Sequence, residues 1–208
     1  MAEVYLRRLS RWQAEQQRDV VADVYVSAYR GAAGAEYRDR RGFLHRLERH
    51  VQHTGFDMVV ADTAGTVGCA YGFRVSRTGE FWSDFRGELP TDIEELTASG
   101  RTFVLAELMV VPAHRRHGIA TRLVERLLIR LDADLVVAAT ERHSDGDGGG
   151  GSDAGSTGTP GAAAEAFRAW GWSRFGLLGP HTALDLSYGA GPGPDSVARE
   201  VWIRRPLR

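Results

Sequence analysis

The stretch from Thr102 to Thr140 constrains the fold of this chain more than any other. Thr102–Val111 is apolar enough for a strand and is stopped by Pro112, which cannot donate to a β-ladder. A turn rich in basic residues follows, from His114 to Gly118. Ile119, Leu123, Leu127 and Leu131, with Val124 and Leu128 alongside, then recur at helical spacing, which predicts a helix over about 116–131. Leu135–Thr140 is short and continuously apolar, the pattern of a strand covered on both faces. Strand, turn, helix and strand in this order make a crossover unit, which requires a sheet with a helix packed on it.

The other segments build outward from that unit. Val4–Arg8 suits a first strand, and 12–30 reads as a helix with Trp12, Val20, Val24 and Tyr25 near helical spacing, ended by Gly31 and Gly34. A second helix is predicted over about 36–52, with Phe43, Leu44, Leu47 and Val51 inward and Arg38–Arg41, Arg46 and Glu48–Arg49 on the solvated face. Asp57–Asp62 and Thr66–Phe73 flank a short Gly-containing turn and predict an antiparallel hairpin. Residues 74–100 break every pattern and read as an irregular insertion, a functional loop or lid. The Gly/Ser-rich segment over about 144–161 reads as a flexible loop, because too few residues follow it for a second core. A helix at about 161–170 and strands at Trp172–Leu177 and near Val197–Arg205 complete a single domain spanning 1–208. The sum is an α/β chain with a mixed sheet, antiparallel hairpins and one central crossover.

Composition excludes several functions. Hydrophobic residues make up 43% of the 208, enough for a core, and a net charge of -1 gives no electrostatic case for nucleic acid. The basic residues are spread along the chain rather than gathered into a patch. Cys69 is the only cysteine, so neither an internal disulfide nor a cysteine-based zinc site can form. The N-terminus lacks the apolar stretch of a signal peptide, and no run approaches the roughly 18 to 20 apolar residues that span a bilayer. The expectation is a soluble cytoplasmic protein with no membrane partner. His114 and His117 lack a third ligand at metal spacing, so no metal is assigned.

The turn before the central helix carries the chemistry. The first amides of a helix have no internal acceptors and sit at the positive end of its dipole, so a phosphate placed there is bound by several at once. Gly118 removes the side chain that would hold a pyrophosphate off the backbone, and Ala120 is nearly as small. Arg115 and Arg116 offer cationic donors, and Thr121 a hydroxyl in the first turn.

Arg115-x-x-Gly118-x-Ala120 resembles the Q/R-x-x-G-x-G/A signature of the GCN5-related N-acetyltransferases. Leu108–Pro112 resembles the strand ending that precedes that signature, Val59–Phe73 the central hairpin of the family, and Ala163–Trp172 its final helix and strand start. The resemblance implies an α+β fold whose central mixed, mostly antiparallel sheet has six to seven strands and about four flanking helices. It implies acetyl-CoA, or another acyl-CoA, as cosubstrate. Met109 and Val110 would supply backbone groups to the pantetheine arm, and the turn from Arg115 and Arg116 through His117, Gly118, Ile119 and Ala120 to Thr121 would hold the pyrophosphate. The acceptor implied is a primary amine on a small molecule or a peptide, and the assembly a homodimer through sheet edges or helices.

Glu107 is charged within an otherwise apolar strand, where burial raises a carboxyl pKa. It is the candidate general base for the attacking amine, against an ion pair with a core Arg as the plain alternative. Tyr71, Trp82 and Phe85 are candidates to line the acceptor pocket, against simple packing, which for the strand residues Tyr71 and Phe73 is the stronger reading. The family commonly places a proton-donating Tyr where this chain has Phe167. Two readings follow: a transferase whose thiolate leaves unassisted, or a non-catalytic acyl-CoA-binding module. A dinucleotide-binding oxidoreductase fails on topology, since its Gly fingerprint follows the first strand of a parallel sheet.

Overall fold

The computed structural model describes residues 3–29, 40–141, 162–179 and 198–205. Seven strands form one sheet: β1 (Tyr5–Leu9), β2 (Asp57–Asp62), β3 (Thr66–Arg74), β4 (Thr102–Val110), β5 (Leu135–Glu141), β6 (Ser173–Leu178) and β7 (Arg199–Arg204). They lie in the order β1-β2-β3-β4-β5-β7-β6, and only β4 and β5 run parallel. Among the described residues six α-helices accompany the sheet: α1 (Arg11–Gln16), α2 (Arg18–Ala28), α3 (Arg40–Gln52), α4 (Thr91–Ala98), α5 (Ile119–Leu128) and α6 (Ala162–Ala169).

Strand alternation decides which helix meets which face. Val59 and Ala61 of β2 pack with Leu123, Val124 and Leu127 of α5 and with Phe167 of α6. Their neighbours Met58 and Val60 point the other way, into a cluster with Val21, Val24 and Tyr25 of α2 and Phe43, Leu47 and Val51 of α3. The sheet is thus covered on both sides, as the apolar runs of β2 and β3 require. A third cluster joins α4 to β5, β6 and β7 through Ile93, Leu135, Val137, Leu178 and Val201.

One irregularity lies between β3 and β4. Tyr71 pairs with Glu107 and Gly72 with Leu105, so Ala106 is an extra residue in β4. Gly72 is required there: a Cβ would sit 2.1 Å from the Val104 carbonyl oxygen and 2.5 Å from the Phe103 ring. Pairing of β4 with β5 ends at Val104–Val137, while β5 continues along β7 to Glu141. Beyond that point β4 and β5 part, and a bulge of this kind bends the strand and re-aims its side chains.

The structure departs from the sequence reading in four places. The helix expected over 12–30 is two, because Ser10 and Gln13 form a capping box that starts α1 and the chain breaks at Gln17 before α2. That break restarts the helical period, so Trp12 and Val20, expected inward, are 67% and 45% exposed, and Ala14, Val21 and Ala28 fill the core instead. Arg46, expected on the solvated face of α3, is buried with its guanidinium 5.4 Å above the Tyr25 ring. Residues 74–100, expected to be irregular, contain α4, which with the split raises about four helices to six. Gly31, Gly34 and the expected 144–161 loop lie outside the described residues.

Candidate active site

Where β4 and β5 part, a cavity of about 520 Å³ opens. One wall is β4 from Leu105 to Val110 and the other is β5 from Ala138 to Thr140. The turn before α5 closes one end, Phe167 of α6 and Trp170 just after that helix line it from another element, and Ala28 and Tyr29 reach it from the end of α2. The stretch of β4 that no longer pairs with β5 begins at Leu105, so the strand edge at Met109 and Val110 faces the gap. Their side chains are buried, which leaves backbone groups for recognition.

The turn leaves a helix N-terminus uncapped. Gly118 is the N-cap of α5 in the left-handed region (φ 73°, ψ 7°), and Arg116 also has positive φ at 63°. No side chain caps this end, and the first amide to find a helical carbonyl is that of Arg122, on Gly118 at 3.1 Å. The amides of Ile119, Ala120 and Thr121 therefore lack intrahelical acceptors. A Cβ at Gly118 would meet nothing within 4 Å, so the space over the helix terminus is open. A diphosphate fits these residues: free amides, a dipole end, and the exposed Arg116 beside them.

Two residues of the turn sit elsewhere than expected. Arg115 donates through Nε to the Val110 carbonyl at 3.0 Å and through Nη2 to the Ala28 carbonyl, so its guanidinium ties β4 to the end of α2 rather than facing the amides of the turn. His117 is exposed and does not line the cavity. Ile119 contributes its amide only, since its side chain is core. The Thr121 hydroxyl accepts from Trp170 Nε1 at 2.9 Å and so links α5 to α6.

Glu107 lies in the β4 wall, and its Oε1 accepts from the Tyr29 hydroxyl at 2.7 Å. Burial raises its pKa above the usual carboxyl range, while the Tyr29 hydroxyl, the Arg46 charge and the Leu108 amide oppose that rise. Tyr71, its partner across the ladder, is fully buried, lies 3.2 Å from His50 Nδ1 and does not line the cavity. Tyr71 therefore sits in the core beside Glu107 and not on this cavity, in keeping with the packing reading given to it from sequence.

Trp82 and Phe85 also move away from the site. Trp82 is buried in the third cluster and donates through Nε1 to Thr97 Oγ1 at 3.0 Å. Phe85 stacks on Phe175 at 5.3 Å and bridges Leu178. The sequence reading puts both in an irregular insertion; in the structure α4 and β6 pack against them. A Thr97→Val variant, which strands the buried indole N–H, is expected to lose about 2 kcal/mol of stability by urea unfolding, with the KM of any acceptor unchanged.

Two residues that line the cavity, Tyr29 and Trp170, and the buried Arg46 whose charge acts on Glu107 are not among the candidates read from the sequence. Tyr29 falls inside the helix expected over 12–30, Arg46 reads as a surface charge and Trp170 as part of a motif flank. No local signal marks Tyr29, since its partner is 78 residues away. Phe167 stacks on Trp202 at 5.7 Å and offers the cavity a ring with no hydroxyl. Among the described residues no group of three or more His, Cys, Asp or Glu could hold a metal, and no helix is long and apolar enough to cross a membrane.

A family model described as "Acetyltransferase (GNAT) family" matches residues 18–144, more than half of the chain. Solved structures similar to the whole chain include an acetyltransferase from Thermus thermophilus, at 12% identity and TM-score 0.59, covering 99% of this chain and 100% of that one. The PaiA N-acetyltransferase from Thermoplasma acidophilum, solved in complex with coenzyme A, matches at 10% identity and TM-score 0.54, covering 98% and 99%. The loading GNATL domain of CurA from Lyngbya majuscula matches at 15% identity and TM-score 0.60, covering 98% of each chain. At these identities the likeness is one of fold. No curated protein matches the sequence.

Proposed function

The chain belongs to the acetyltransferase (GNAT) family, and on that premise we propose that it moves an acetyl group from acetyl-CoA to a primary amine of a small molecule or peptide, with Glu107 as general base. The observation that carries the proposal is that one cavity is lined both by the residues of the uncapped α5 terminus and by Glu107. A bound acyl-CoA supplies an acyl carbonyl already activated as a thioester. The α5 amides and Arg116 bind its pyrophosphate, and the unpaired edge of β4 receives the pantetheine arm. Glu107 takes the proton from the attacking amine, either directly or through one water. Phe167 brings no proton to the departing sulfur, which is a weak enough base to leave as thiolate.

The test follows free thiol while the protein is incubated with acetyl-CoA and a panel of amines. Thiol release that depends on one class of amine supports the transferase. Phe167 favours one competing reading, a non-catalytic acyl-CoA-binding module; tight CoA binding with no turnover on any amine would establish that reading instead. Cys69 will not confuse the assay: it is fully buried, and burial together with the Glu107 charge pushes its thiol well above the usual range. The native protein is therefore expected to give no reaction with an aromatic disulfide reagent, and one thiol per chain once unfolded in denaturant.

A further inference from the structure

We propose that Tyr29 is a positioning residue for the reaction, holding the Glu107 carboxylate ionised and aimed from the end of α2. This rests on the reading of Glu107 as the base. Tyr29 caps α2, its amide bonded to the Tyr25 carbonyl at 3.0 Å and its ring 4.9 Å from the Tyr25 ring. The carbonyl just before it, that of Ala28, accepts from Arg115 Nη2, while Arg115 Nε holds the Val110 carbonyl on the strand that carries Glu107. One guanidinium thus bolts the end of α2 to β4 and fixes the distance between hydroxyl and carboxylate.

The direction of the hydrogen bond follows from the surroundings. Burial and the neighbouring Glu107 charge hold the Tyr29 hydroxyl protonated, so it donates and the carboxylate accepts. The other titratable or charged groups gathered there are Tyr25 from α2, Arg46 from α3, and Tyr71 and Cys69 from β3; His50 of α3 lies behind Tyr71, and His114 lines the cavity beside the turn. Among these, Tyr29 is the hydroxyl on Glu107 that also faces the cavity. It stabilises the anion that accepts a proton and opposes the pull of burial toward the neutral acid.

Removing the hydroxyl raises the pKa of Glu107, so the acidic limb of kcat/KM for the amine moves to higher pH. The experiment records that profile for the wild type, Tyr29→Phe and Glu107→Gln, with acetyl-CoA and the best amine of the panel. For Tyr29→Phe we expect kcat/KM to fall about tenfold within the wild-type limb and less than about threefold on the plateau, with the KM for acetyl-CoA unchanged. A limb that vanishes in Glu107→Gln but stays in place in Tyr29→Phe overturns the role of Tyr29 alone. A limb that persists in Glu107→Gln overturns the base reading, and this inference with it. Should Tyr29→Phe fail to fold, Arg115→Lys reads the same point, since one ammonium cannot span both carbonyls as the guanidinium does. Its limb is expected to move in the same direction, and an unmoved limb there overturns the proposal.

Discussion

Replacing Glu107 with Gln is expected to lower kcat/KM for the amine about 1,000-fold while leaving CoA affinity within about twofold. The amide has the same shape as the carboxyl and can still accept from the Tyr29 hydroxyl, so the cavity keeps its form. What is lost is the capacity to take a proton. The wild-type rate should fall as pH drops through the pKa of Glu107, which burial places above the ordinary carboxyl range. In the variant that limb should be absent. Calorimetric titration with CoA separates the two effects: an intact enthalpy with a collapsed rate places Glu107 in the chemistry, whereas a weakened Kd places it in binding.

Gly118→Val is expected to do the reverse, weakening CoA binding about 100-fold with the fold intact. Two costs combine. The backbone at Gly118 has φ of +73°, where a β-branched residue is strained by roughly 1–2 kcal/mol. The new side chain would also project over the helix terminus, into the open space that lets an anion reach the backbone amides. Losing one or two charge-assisted hydrogen bonds costs about 1.5–3 kcal/mol each. Because no protein atom lies within 4 Å of the added Cβ, the core is spared. Titration of CoA into the variant, beside its melting temperature, checks both halves; a large drop in stability with unaltered affinity would show that Gly118 serves the turn and not the ligand.

These two predictions draw on residues that the sequence made visible, and the reason is physical. The α5 turn is recognised locally: strand, Pro112, basic residues, Gly118 and an amphipathic helix lie within one continuous stretch. Glu107 stood out because a charge in an apolar strand is costly unless it is used or paired. The β2–β3 hairpin was legible from two apolar runs and a short turn. What escaped depends on contacts between segments far apart in sequence. Arg46 reads as a surface charge in α3 until Tyr25 and Phe43 supply rings to receive it. Arg115 looks like a phosphate ligand until the fold brings the Ala28 carbonyl to it from 87 residues away. Trp82 looks like a loop aromatic because α4 is a short helix following Pro90, with too few turns to declare a period. Trp12 is exposed because it belongs to α1, a separate short helix that ends at Gln17, so a single period over 12–30 does not apply to it.

The parting of β4 and β5 is equally hidden. Each strand reads as ordinary from its own residues, and only the pairing shows that their contact stops at Val104 and Val137. Along that gap one cavity is lined by both the α5 terminus and Glu107, which follows the extra residue Ala106 in β4.

The most direct test is a crystal structure of the protein with a non-hydrolysable acetyl-CoA analogue. The account predicts the pyrophosphate on the amides of the α5 terminus, the pantetheine along β4 at Met109 and Val110, and the acyl carbonyl within one water of the Glu107 carboxylate. A pyrophosphate bound away from Gly118–Thr121, or an acyl group lying beyond the reach of Glu107, would contradict it.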